Sequence, residues 1–189
     1  MALDKKTIMG LFIAAIMILS VMGFALTFSE PVERLEYNDY KFVRTSQGLR
    51  TTINDIHVYF VYFARDVADI PFDEGAKVAL DGARVIWFAY DPNDIEASAI
   101  ADALYRMEDV LGTASDQYVQ RALLDNTGYA LPQVSCINAT AAVPVLILQS
   151  GNETKIEHKN GCITATADRA QAVYQVSDRI LYQALGVMK

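Results

Sequence analysis

The longest apolar run lies near the N-terminus. Ile8 to Phe28 reads IMGLFIAAIMILSVMGFALTF, 21 residues without a charge. As a helix at ~1.5 Å per residue it covers about 30 Å, the thickness of a bilayer's hydrocarbon core. A helix in a soluble core normally keeps a polar stripe, and this run has none. Beyond residue 39 the period shortens. YKFVRT (40–45), LRTTI (49–53) and IHVYFVYF (56–63) read as strands, separated by SQG (46–48) and Asn54-Asp55. The third is apolar on both faces, as are RVIWFAY (84–90) and VPVLILQ (143–149), which marks strands covered on two sides. ETKIEHK (153–159) is polar and edge-like. Asn160-Gly161 is the favoured pair of a type I′ hairpin, so CITATA (162–167) should return as the third strand of a meander.

Helical spacing appears in three places. Asp91-Pro92 offers an N-cap and a first-turn proline, Ile100, Leu104, Met107 and Leu111 form one stripe, and Gly112 closes it. Ser115 to Asp125 reads as a shorter helix carrying Val119, Ala122 and Leu123. The last helix runs from Asp168, paired with Gln171 as a cap box, to about Leu185, and Gly186 ends it. Residues 64–83 read as irregular. The expected fold class is α+β: one N-terminal transmembrane helix, then an extracytoplasmic domain of mixed sheet, about seven strands, packed with three helices. Residues 1–7 form a cytoplasmic tail in this reading, 8–28 a signal-anchor helix, 29–39 an acidic stalk and 40–189 the domain.

Charge orients the chain. Lys5 and Lys6 precede the apolar run, so the positive-inside rule keeps the N-terminus in the cytoplasm and puts the domain outside. A cleavable signal would have a shorter apolar region ending in small residues, and VMGFALTF fits that poorly. Ser29 to Lys189 holds 22 acidic and 14 basic side chains, a formal charge of −8. That sum argues against nucleic acid or anionic lipid as partners, because both attract clustered Lys and Arg. The expected partners are the lipid bilayer through residues 8–28 and other exported or membrane proteins.

An exported domain can keep a disulfide and carry glycans. The chain has two cysteines, Cys136 and Cys162, 26 residues apart. The hairpin turn at 160–161 brings Cys162 to the end of the sheet where the chain enters from Cys136, so the two are expected to bond. Closing that loop stabilises by about 3 kcal/mol in the chain-entropy model. Asn138-Ala139-Thr140 and Asn152-Glu153-Thr154 are glycosylation triplets, expected on the surface.

Most catalytic patterns are missing. The two histidines, His57 and His158, form no H-E-x-x-H motif, and there is no G-x-S-x-G or phosphate-cradling glycine loop. The cysteines are too far apart for C-x-x-C redox chemistry. DPNDIE (91–96) has Ile95 and Glu96 where a calcium loop needs an oxygen ligand and a glycine, so a helix cap fits it better. No cofactor and no metal are implied. Asp66, Asp69, Asp73, Glu74 and Asp81 gather within 64–82, and a pair of them could act as acid and base or hold a cation; a solvated acidic loop is the plainer reading. The aromatics Tyr59, Phe60, Tyr62, Phe63, Trp87, Phe88 and Tyr90 read as core rather than as a carbohydrate platform.

The pattern CINAT…VPVLILQSGNETKIEHKNGCITATADRAQAVYQVSDRILYQALGVM resembles a group of archaeal proteins with one membrane helix and a small exported domain. The likeness covers the last third of the chain, and YNDYKFVRT…HVYFVYF more loosely. It implies compartment and architecture, and Asn-linked glycosylation of exported proteins agrees with it. No activity follows from it and no residue inherits a role. The expected function is a membrane-anchored, outward-facing envelope module that binds or scaffolds other proteins. The alternative is an exported hydrolase or cation-dependent enzyme using the 64–82 carboxylates.

Overall fold

The computed structural model describes residues 4–27 and 34–188. Residues 1–3 of the expected tail, Phe28 and residues 29–33 of the expected stalk lie outside the described residues. Two units follow one another in the chain. The first holds a single helix, α1 (Lys5–Thr27), which among the described residues is the one helix long and apolar enough to cross a membrane. The second unit begins at Arg34.

That unit is a mixed α+β domain with two sheets. The first sheet is an antiparallel meander of β1 (Arg34–Tyr37), β2 (Tyr40–Thr45), β3 (Gly48–Ile53) and β4 (Ile56–Phe60). Strand β1 occupies positions expected to be stalk. Its residues alternate exposed and half-buried, and it adds to β2 with Leu35 opposite Phe42. At the β3–β4 turn Asn54 and Asp55 both take positive φ, 49° and 64°, a conformation that Asn and Asp tolerate better than most side chains.

Two helices follow where an irregular stretch was expected. They are α2 (Ala64–Val67) and α3 (Glu74–Gly82). Asp73 caps α3 by accepting a hydrogen bond from the Gly75 N–H at 2.6 Å, and Ala76 and Leu80 face the core. The second sheet has the order β6-β5-β7-β9-β8. Strand β5 (Val85–Tyr90) leads through α4 (Ala97–Ala114) to β6 (Tyr118–Leu123), which pairs parallel to β5. Here Ser115–Asp125 was expected to be helix. Val119, Ala122 and Leu123 suit either period, but α4 already ends at Ala114, and the Ser115 hydroxyl donates to the Leu111 carbonyl at 2.7 Å. The chain then has a crossover to close, and strand pairing satisfies its backbone. The start of α4 also moves. Asp91 and Asp94 accept from the Asn93 and Glu96 N–H groups in a loop before Ala97.

The expected meander at the C-terminal end is rearranged. Strand β7 (Val145–Ser150) pairs parallel with β9 (Cys162–Ala167), and β8 (Lys155–Lys159) lies outside at the edge. Polarity decides this order. CITATA is buried along five of its six positions and KIEHK at one, so β9 takes the interior place. The connection from β7 to β8 must then cross the end of β9. It does so at Gly151, where a Cβ would lie 2.4 Å from the Thr166 methyl. The hairpin itself is as expected, with Asn160 and Gly161 at φ 51° and 81°.

Helix α5 (Ala170–Ala184) is enclosed along most of its length. Arg169, not Asp168, occupies its N-cap position; Asp168 accepts a hydrogen bond from the Thr154 hydroxyl at 2.9 Å. One core joins the inner face of the first sheet (Phe42, Phe60), the helices (Leu80, Met107, Ile180) and one face of the second sheet (Phe88, Leu146, Ile163). The other face of the second sheet carries a smaller cluster, Ala89, Ala122, Val145, Ile147 and Cys162, covered by Val134 and Ala139 of the long 124–144 connection.

Candidate functional site

Three helices end at one pole of the domain: α3 at Gly82, α4 at Ala114 and α5 at Ala184. Each helix C-terminus carries a partial negative charge, and none of the three has a basic residue in its last turn. Residues at and just beyond these ends line an open groove of ≈ 580 Å³. Lys77 and Arg84 give it positive charge, Asp81 and Asp116 negative charge, and Gln117 and Gln183 amide groups. Lys77 also reaches Glu74 at 3.5 Å.

Gln117 is the organising residue. Its Nε2 donates to the Leu80 carbonyl at 2.7 Å and to the Ala83 carbonyl at 3.2 Å, which occupies two acceptors at the end of α3. Its Oε1 is buried and has no partner. Buried acceptors are nearly always paired, and this one, closed to solvent, is an exception. Gln183 lines the same groove while only 4% exposed. The arrangement offers donors, acceptors and both signs of charge to a ligand, with no single-sign field.

The most perturbed titratable group lies elsewhere. Asp178 on α5 is fully buried, and burial pushes its carboxyl up to about 7, against hydrogen bonds from the Tyr62 and Val61 N–H groups and the charge of Arg106. Those N–H groups donate to Oδ2 at 2.7 and 2.8 Å, where β4 has just ended. The Tyr182 hydroxyl donates to the Tyr62 carbonyl at 2.7 Å, and its ring stacks on Phe60 at 4.1 Å. This cluster clamps α5 to the first sheet and buries Asp178, Tyr182 and Phe60 completely. Asp94 shows the opposite balance. Burial alone would raise its carboxyl, but the Ser150 and Glu96 N–H groups hold it below the ordinary range, and the loop after β5 is thereby fastened to the end of β7.

The residues picked out from sequence are dispersed. Cys136 and Cys162 come together, with sulfurs 2.04 Å apart and Cα atoms 5.1 Å apart. Cys136 opens a 3₁₀ turn (Cys136–Asn138), and Cys162 opens β9 beside Val145. Asn138 and Asn152 are both exposed, near opposite ends of the second sheet. Asn138 Oδ1 accepts from the Ser135 N–H at 2.9 Å. Of the 64–82 carboxylates, only Asp81 lines the groove; Asp73 caps a helix and Glu74 pairs with Lys77. Among the described residues no group of three or more His, Cys, Asp and Glu is placed to hold a metal ion. His158 closes the β8–β9 turn by accepting from the Gly161 N–H at 3.1 Å, and His57 stands exposed beside Thr52. Phe60, Phe63 and Phe88 are core, while Tyr59 and Trp87 are half-buried on the outer faces of their sheets. Gln117 and Asp178 were not foreseen. A glutamine between a helix and a strand carries no pattern, and an aspartate in an amphipathic helix reads as solvent-facing.

No family model, curated protein or solved structure matches this chain.

Proposed function

We propose that this chain is a membrane-anchored, outward-facing module whose domain binds a segment of another exported or membrane protein along the polar groove at the ends of α3, α4 and α5. One observation carries the reading: an open groove of ≈ 580 Å³ that sets Lys77 and Arg84 against Asp81 and Asp116, with the amide side chains of Gln117 and Gln183 beside them. Mixed charge suits an extended polypeptide better than a uniform anion or cation. The apolar helix α1 and the disulfide support anchoring and export. The likeness to archaeal single-pass proteins with exported domains, and the exposed Asn138 and Asn152, agree with the same compartment.

Photo-crosslinking in native membranes tests it. A crosslinker at position 116 should capture a discrete protein, and the same group at position 125, outside the groove, should not. Charge reversal at Lys77 and Arg84 should abolish the adduct. Identical products from both positions, or capture indifferent to the reversal, would remove the groove as the binding site.

A further inference from the structure

We propose that the outer face of the first sheet rests on an anionic lipid surface, at the end where the chain arrives from α1. The inference rests on the anchored reading above. Residues 62–188 hold nine basic and 17 acidic side chains, whereas residues 34–61 hold four and three. The acidic total of the domain therefore belongs to the other sheet and its helices. Within the first sheet the charges separate further. The register sets Arg34, Val43, Arg50 and Tyr59 in one cross-strand row. Their neighbours along each strand, Leu35, Phe42, Thr51 and Val58, point into the domain, so this row faces outward. Arg44 is exposed at the same end of the sheet. Asp39 and Asp55 lie in the two turns at the opposite end, and Glu36, on the same outward face, lies toward that end opposite Lys41.

The tether limits where this row can go. Six residues, 28–33, separate Thr27 from Arg34, and the seven steps between those two, at ~3.3–3.6 Å each, reach about 25 Å at most. The arginine end is thus held near the headgroups at high effective concentration. Guanidinium groups match phosphate oxygens bidentately, and the half-buried Tyr59 next to Arg50 suits the interfacial zone. Glu30 and Glu33 in the tether oppose the attraction, which makes their removal an informative variant.

The full chain is reconstituted into vesicles of phosphatidylcholine alone, or with about 30% phosphatidylglycerol to give a negative surface. Cys136 and Cys162 are bonded to each other, so a Gln47→Cys variant takes a single fluorophore at the arginine end. Quenching by a headgroup spin label reads docking, and flotation with the vesicles separately reads insertion of α1. Quenching should be stronger on the anionic vesicles and should fall when salt shortens the screening length. In the Arg34→Gln/Arg50→Gln variant the docked-to-free ratio should drop roughly 30-fold, at ~1 kcal/mol per cation near such a surface. The Arg34→Lys/Arg50→Lys variant should retain most of the docking, and Glu30→Gln/Glu33→Gln should increase it. Equal quenching on both vesicle types, or no change in the Gln variant, overturns the docking proposal while flotation leaves anchoring intact. A chain that fails to float overturns the anchored reading, and docking with it.

Discussion

Strands that are neighbours in the first sheet are also neighbours in sequence, whereas in the second sheet β5, β7 and β9 pair across other elements. The first sheet has one buried face, and its other face carries Arg34, Lys41 and Arg50. In the second sheet β5, β7 and β9 have side chains in a core on each face, and a disulfide fastens the entry to β9. Formal charge divides the same way, +1 over residues 34–61 against −8 over residues 62–188. A summed charge hides such a division. The sum of −8 over Ser29–Lys189 counts against an anionic surface as partner, and the register shows a face to which that sum does not apply.

The joint between the two sheets should be the most sensitive place. Phe60 is fully buried, stacked on Tyr182 next to the Asp178 clamp. Truncation to alanine should cost about 3–5 kcal/mol, read as a fall in the denaturant midpoint. A loss below about 1 kcal/mol would mean that the two sheets do not share one core. Next comes the disulfide. Cys136→Ser/Cys162→Ser should cost about 3 kcal/mol, and hydrogen exchange should rise in β7 and β9 before β2 and β3. Uniform loss of protection would show that the sheets open as one unit.

Three of the four strands of the first sheet were legible because their signals are local. YKFVRT, LRTTI and IHVYF, with Asn54-Asp55 between the last two, specify strands and turn within a few residues; the expected cover on both sides of IHVYFVYF is not found, since β4 ends at Phe60 and Tyr59 lies on the open face. The same held for the Asn160-Gly161 hairpin. The order of the second sheet was not legible, since KIEHK follows VLILQS through a short turn that suits direct pairing, and only the longer-range parallel pairing of CITATA with β7 moves KIEHK to the edge. Strand β6 was missed because Val119, Ala122 and Leu123 satisfy the helical period as well. Asp178 and Gln117 matter through partners 116 and 37 residues away, Tyr62 and Leu80, and no local pattern encodes such contacts.

Smaller effects follow from charge. The native state keeps a proton on Asp178 up to about pH 7, while an unfolded aspartate releases it near pH 4. The folded form binds more protons between those limits, so its stability falls as pH rises through them, by at most ~1.4 kcal/mol per pH unit from this group. Asp178→Asn should flatten that part of the profile in denaturant titrations at about pH 5 and about pH 8; an unchanged slope would mean that Asp178 is ionised throughout. Last, Lys41 and Glu36 pair across the open face at 3.9 Å, both well exposed. Lys41→Gln should change stability by less than about 0.5 kcal/mol, and a larger loss would mean that this face is covered.

The anchored, outward-facing arrangement is the claim on which both the groove and the lipid-facing sheet depend, and protease added to intact cells tests it directly. The account predicts that the domain from Arg34 onward is degraded and that a short stub containing α1 stays in the membrane. A domain fully protected until the cells are broken, or one released as a soluble chain beginning near Leu26, would contradict it.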